Sequence, residues 1–240
     1  MSAPQIALSV VVPVHDEERT IATLVDDLGR DVLTVVPRAE VIVVDDASSD
    51  RTPQLLEELR RTRPWIHVER LDQNVGHGRA VRRGLDLSRG EWIFALDSDG
   101  QFVVADFARL WDRREEADLL LGVRERRHDP RHRLVLSRLV AAVSSLLAGS
   151  RIRDVNTPFR LLRRRVWNDL RPTLDAAALA PNVLVTVGAG LRGWRVLEIP
   201  VTHLAREGGT STLRSLRLLR FSLRGLGQLL AYRRRVGRGR

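Results

Sequence analysis

From residue 6 to residue 123 short apolar runs alternate with helical stretches, and this alternation limits the possible folds more than any other feature of the chain. Strands joined by crossover helices build a parallel sheet. Buried strands are expected at 8–12, 41–44, 66–69, 92–96 and 119–123. The first intervening helix is expected to carry Ile21, Leu24, Val25 and Leu28 on one stripe, with acidic residues in its opening turn where the helix dipole favours them. Further helices are expected at 52–61, 78–88 and 104–117. In such a half-fold ligands collect beyond the carboxyl ends of the strands. After Val123 the order changes. A charged loop, 124–133, leads into an amphipathic helix bearing Leu136, Leu139, Val140, Val143 and Leu147, followed by a strand near 159–162, a helix near 181–189 and a strand at 194–199.

The strand ends carry the chemistry. Asp97-Ser98-Asp99-Gly100 places two carboxylates at the end of one predicted strand. A hard cation such as Mg2+ or Mn2+ takes one or two such carboxylates and completes its shell with substrate phosphates and water. An Asp-x-Asp before glycine is also ordinary turn chemistry. Context separates the two readings: Asp45-Asp46 closes a second strand and Asp16-Glu17-Glu18 follows a third, so three strands deliver acids to one rim. Grouped like charges destabilise a fold unless cations or hydrogen-bond donors meet them. Gly76-His77-Gly78 opens a helix, but the third glycine of a dinucleotide fingerprint would fall at Val81, which disfavours a nicotinamide enzyme. His77 itself reads as an incidental loop residue or a substrate contact.

Composition narrows the partners. The chain lacks cysteine, so thiolate metal sites and disulfides are excluded. Its 43% hydrophobic content over 240 residues suffices for one core. The formal charge is +10, and every basic residue is arginine. Between Leu213 and Arg240 lie nine arginines and no acid, with Leu216, Leu219, Leu223, Leu226 and Leu230 on one helical stripe. We therefore expect a domain over 1–212 and an Arg-rich amphipathic tail over 213–240, suited to a membrane interface or to docking on the domain. No run reaches about 18 apolar residues and no export signal is evident, so a cytoplasmic protein, peripheral at the membrane face, is expected. A non-catalytic, basic nucleic-acid-binding protein is the alternative of another class.

SVVVPVHDEE (9–18), VIVVDDASSDRT (41–52), NVGHGRAVRRGL (74–85), GEWIFALDSDGQ (90–101), GVR (122–124), RLVLS (133–137), DVNTPFRLLRR (154–164) and EIPVTHLAREGGTS (198–211) together resemble the family 2 glycosyltransferases of the GT-A fold. Within that family they are similar to the polyprenyl-phosphate sugar transferases of the dolichyl-phosphate mannose synthase type. The resemblance implies an α/β, mostly parallel sheet flanked by helices, and inverting transfer of a sugar from a GDP-mannose or UDP-glucose type donor to a polyprenyl phosphate. It assigns Pro13, His15, Glu17, Asp45, Asp46 and Asp97 to the nucleotide, with Asp45 at the base. Asp97 and Asp99 would hold the divalent ion, Mg2+ or Mn2+, and Gln101 would lie beside the sugar. Arg124, Arg133, Ser137 and Arg206 would receive the acceptor phosphate, and Asp97, Asp99, Gln101 and Arg206 form the implied catalytic set. Forked guanidinium donors suit phosphate. Relatives acting on hydroxyls carry an acidic base where this chain reads Ala180-Pro181-Asn182-Val183, and a phosphate acceptor needs no base. The rival is a hydroxyl acceptor, in cell-envelope glycan or small-molecule glycosylation, with Asp154, Asp175 or Glu207 as base.

Overall fold

The computed structural model describes residues 6–124, 131–149, 151–175, 180–204, 225 and 227–236, with backbone alone over 131–139. Seven strands form one sheet: β1 Leu8–Val14, β2 Ala39–Asp45, β3 Ile66–Arg70, β4 Trp92–Ala95, β5 Leu119–Arg124, β6 Arg160–Arg163 and β7 Val196–Val201. Their spatial order is β3-β2-β1-β4-β6-β5-β7. β6 runs antiparallel to both its neighbours, and the remaining pairs are parallel.

Every residue of β1, LSVVVPV, is buried, as a central parallel strand covered on both faces requires. Alternate side chains feed two cores. Leu8, Val10, Val12, Trp92, Phe94 and Leu120 join one; Val11, Ile93, Ala95, Leu119 and Leu121 join the other. The first core is covered by helices α1 Ile21–Leu28, α2 Thr52–Thr62 and α4 Phe107–Asp112, and the Phe94 ring lies 4.8 Å from those of Phe107 and Phe159. Against the second core pack α3 His77–Leu87, α5 Arg131–Ala148, α6 Arg164–Leu170, α7 Pro181–Leu191 and α8, residues 227–236.

Several expectations shift. The helix expected over 104–117 is broken into 3-10 turns at Val104–Asp106 and Arg114–Glu116 around the short α4. No acid occupies the first turn of α1, because Glu17 and Glu18 precede it. Helix α6 was not foreseen; its seven residues are too few for a periodic signal. The tail's described part, α8, buries Leu229, Tyr232 and Val236 in the second core, whereas Leu230, expected on the apolar stripe, is 47% exposed. The face that turns inward is set by Gly188 of α7: a Cβ there would lie 2.3 Å from the Tyr232 hydroxyl. Among the described residues no helix is long and apolar enough to cross a membrane.

The chain runs β1-β2-β3 toward one edge, then returns through α3 to β4 on the other side of β1. That reversal opens a crevice beyond the carboxyl ends of β1, β2 and β4. Helix α3 lies directly on the sheet, since a Cβ on its Gly84 would meet Val11 Cγ1 at 2.4 Å.

Candidate active site

The crevice is walled by the loops after β1 and β2, which are fastened to each other. Asp16 N donates to Ser48 Oγ at 3.0 Å, Glu17 N to Thr52 Oγ1 at 2.9 Å and Glu18 N to Asp50 Oδ2 at 3.1 Å. In return Ser49 N donates to Asp16 Oδ1 at 2.7 Å and Arg51 N to Glu18 Oε2 at 3.1 Å. Asp16 and Ala47 both sit in the left-handed region, at φ 54° and 55°. Such strain persists where the surroundings fix the backbone, and here the loop-to-loop bonds do so. Backbone donors also hold the Asp16 carboxyl below the ordinary carboxylate range, Ser49 N–H first.

Two further acids are used inside the chain. Asp45 Oδ1 accepts from Ser48 N at 2.9 Å, and its Oδ2 lies 3.5 Å from Arg70 Nε. Asp46 accepts from the backbone N–H groups of Val75 at 2.7 Å and Gly76 at 2.8 Å, fixing the loop that starts α3. The acids of the rim are therefore met largely by hydrogen-bond donors rather than awaiting a cation. Asp45 does not line the crevice. Those that do include Pro13, His15, Glu17, Asp46, Asn74, Gly76, His77, Asp97, Ser98 and Asp99, around a volume of about 240 Å3. Asn74 Nδ2 reaches the His15 ring at 3.0 Å, so the two form one side of the opening.

Of the two described acids with a buried oxygen that no hydrogen-bond donor meets, Asp45 and Asp97, it is Asp97 that lines the crevice. Its Oδ1 is shut off from solvent and has no hydrogen-bond partner, with His77 Nε2 at 3.5 Å. Burial pushes its pKa up and the charge of Asp99 adds to that, opposed by His77, Arg124 and Arg160. A buried acceptor without a donor, beside a second carboxylate, suits a hard divalent ion. Among the described residues no three acidic or imidazole side chains converge; a hard ion held by one or two carboxylates completes its shell with ligand phosphates and water. Asp99 Oδ1 accepts from Gln101 N at 3.2 Å, which closes the turn. Gln101 turns its amide to Leu204 O at 3.3 Å, and Leu204 N donates to Gln101 O at 2.8 Å. The Asp97–Gln101 turn is thereby tied to the segment after β7.

On the other side of β4 the acids and arginines pair. Arg124, at the end of β5, donates Nε and Nη2 to Asp154 at 2.6 and 2.8 Å. Arg160 of β6 is 2% exposed, and its guanidinium donates to the carbonyls of Thr157 and Asn182 and to Thr186 Oγ1. Burial draws its pKa down to about 9, which leaves it charged at neutral pH. Arg133 and Ser137 lie on α5 where only the backbone is described, and Arg206 and Glu207 lie outside the described residues. Asp175 is 52% exposed and stands 3.9 Å from Arg235 of α8.

The sequence matches the pattern of glycosyl transferase family 2 over residues 9–176. The chain belongs to that family. It is a glycosyltransferase, which sets aside the reading as a basic binding protein. It is 32% identical over 215 residues to polyprenol monophosphomannose synthase of Mycolicibacterium smegmatis, covering 85% of this chain and 80% of that protein. To the undecaprenyl-phosphate 4-deoxy-4-formamido-L-arabinose transferase of Proteus mirabilis it is 28% identical over 214 residues; it spans 88% of itself but only 64% of that protein's length. Among solved structures, the mannosyltransferase of Pyrobaculum calidifontis bound to GDP-Man and Mn2+ aligns with a TM-score of 0.65 at 18% identity, over 95% of this chain and 64% of that one. Glucosyl-3-phosphoglycerate synthase of Mycobacterium tuberculosis, with Mn2+ and UDP, gives 0.65 at 20% identity, over 94% and 79%. These likenesses establish the GT-A fold expected above.

For a family 2 glycosyltransferase the sequence located the crevice and missed its wiring. Pro13, His15, Glu17, Asp46, Asp97 and Asp99 are brought together; Asp45 and Gln101 are turned to other partners. Arg160 was overlooked, although an arginine at an inward position of a strand otherwise read as apolar is itself a signal, because buried charge needs a reason. Glu198, which organises the loop around Asp154, was equally silent: its partners lie 44 and 45 positions away.

Proposed function

We propose that this enzyme transfers a sugar from a nucleoside-diphosphate sugar to a polyprenyl phosphate, with inversion, at the cytoplasmic membrane face. The observation that carries the acceptor half is the employment of the described acids outside the crevice. Both oxygens of Asp154 accept from Arg124, and Asp175 faces Arg235. Neither stands as a base for a hydroxyl. A phosphate monoester is anionic near neutral pH and needs only positioning and charge compensation. The relative at 32% identity is named for making polyprenol monophosphomannose, a phosphate-linked product, and supports the same reading.

On the donor side the nucleotide enters between the two fastened loops. The opening turn of α3, with Gly76 and His77 on the crevice, offers backbone N–H groups and the positive end of the helix to the diphosphate. Asp97 and Asp99 would hold Mg2+ or Mn2+, which supplies positive charge to the departing nucleoside diphosphate. The acceptor oxygen attacks the anomeric carbon as its bond to the diphosphate breaks, and no covalent enzyme intermediate is needed. Arg124, with Arg133, Ser137 and Arg206, receives the acceptor phosphate. The exposed arginines of α8 hold the protein against anionic lipid.

The test mixes the protein with labelled GDP-mannose or UDP-glucose, Mn2+, and either a short polyprenyl phosphate or the matching polyprenol, followed by lipid extraction. Label is expected in lipid with the phosphate alone. Transfer only to the alcohol, or to a soluble hydroxyl, overturns the acceptor assignment.

A further inference from the structure

We propose that Asp154 is the positioning residue of the acceptor site: its carboxylate holds the Arg124 guanidinium in the orientation that receives the acceptor phosphate, and it does not serve as a base. The inference rests on the phosphate-acceptor reading above. Arg124 stands at the carboxyl end of β5, where the strand stops guiding its side chain. A free arginine side chain carries about 2 kcal/mol of rotamer entropy that ligand binding would have to remove. The forked bond to Asp154, at 2.6 and 2.8 Å, removes it beforehand, and the two side chains are only 14% and 5% exposed.

Asp154 is in turn placed by its backbone. Glu198 of β7, opposite Leu121 of β5, accepts from Asp154 N at 3.1 Å and from Arg153 N at 2.7 Å, and Arg153 Nε reaches its second oxygen at 3.1 Å. The loop holding the carboxylate is thus pinned to the same pair of strands that carries Arg124. A base needs an oxygen turned toward the reacting proton, but Asp154 is 4% exposed and gives both oxygens to Arg124. Nor does it cancel the charge an incoming phosphate would meet. Arg160 lies close enough for its buried guanidinium to feel both Asp154 and Asp97, so a second cation stands beside the Arg124–Asp154 pair.

The test compares wild type, Asp154→Asn, Arg124→Lys, Arg124→Ala and the Arg124→Ala/Asp154→Asn double variant in steady-state transfer to polyprenyl phosphate. Nucleotide binding with Mn2+ is measured separately by calorimetry. Asp154→Asn keeps the shape and weakens the fork, so the acceptor KM is expected to rise about tenfold with kcat little changed and nucleotide binding unmoved. Arg124→Lys, which keeps charge without a fork, is expected to do the same, and the double variant to be no worse than Arg124→Ala. A fall in kcat of about a hundredfold at constant acceptor KM would make Asp154 a base and overturn the inference. So would additive losses in the double variant. Failure of the acceptor reading looks different: the wild type itself would leave polyprenyl phosphate unlabelled, and the inference would fall with it.

Discussion

The metal-binding role proposed for Asp97 comes at the expense of the fold. Its buried oxygen has no donor in the chain, and burial together with Asp99 raises its pKa above the ordinary 3.8. Replacing it by asparagine removes that charge, so Asp97→Asn is expected to melt about 2–4 °C higher than wild type while losing Mn2+-dependent nucleotide binding, as calorimetry would record. The folded state holds the Asp97 proton more tightly than the unfolded chain does. Wild-type stability therefore falls as pH rises through the folded pKa, and the gap to the variant should close on acidification toward 3.8. A variant that melts lower at neutral pH would show that the carboxylate stabilises the fold. Asp97 and Asp99 were legible in the sequence because two acids at a strand end form a local signal. The duties of Asp46 and Asp154 were not, since their partners, the Val75 backbone and the Arg124 side chain at the end of β5, lie 29 and 30 positions away.

At the scale of elements, α3 connects packing to ligand binding. Gly84 lets it rest on Val11 and Val44, and Gly76 and His77 at its other end border the crevice. Gly84→Ala forces a Cβ into Val11, which is expected to cost about 1–3 kcal/mol in chemical denaturation. It should also weaken nucleotide binding, because the helix that must lift carries the turn proposed to meet the diphosphate. Unchanged affinity in a destabilised variant would separate the two. The apolar runs of β1, β2, β4 and β5 could be read directly, since strands buried on both faces are nearly all hydrophobic. β6 was harder. Two of its four residues are arginines, made tolerable by carbonyls around Arg160 and by Glu91 and Glu115 beside Arg163, and no local rule supplies such distant partners. Its antiparallel course was likewise invisible, being decided by the loop geometry before it.

For the whole molecule, α8 links the body to its surroundings. Tyr232, Leu229 and Val236 face inward, and Arg233 and Arg234 are exposed. Reversing both arginines to glutamate is expected to leave the melting temperature unchanged and to abolish flotation with anionic vesicles. Tyr232→Ala should do the opposite, lowering stability by about 3 kcal/mol through loss of a buried ring. If the charge-reversed protein floats as wild type does, the lipid contact lies elsewhere. The arginines of this segment could be read off directly, but the apolar stripe was expected one position away, on Leu230, because the small residue that seats Tyr232 belongs to α7.

The reciprocal bonds between the His15–Glu18 and Ser48–Thr52 loops bear on how the enzyme chooses its donor. They are made by the chain's own groups, so the ordering of that half of the socket is completed during folding rather than on arrival of the nucleotide. A wall ordered in this way would meet a nucleotide base as a rigid template, and a change of donor preference is expected to require substitutions in both loops together, as transfer assays over a donor panel would record.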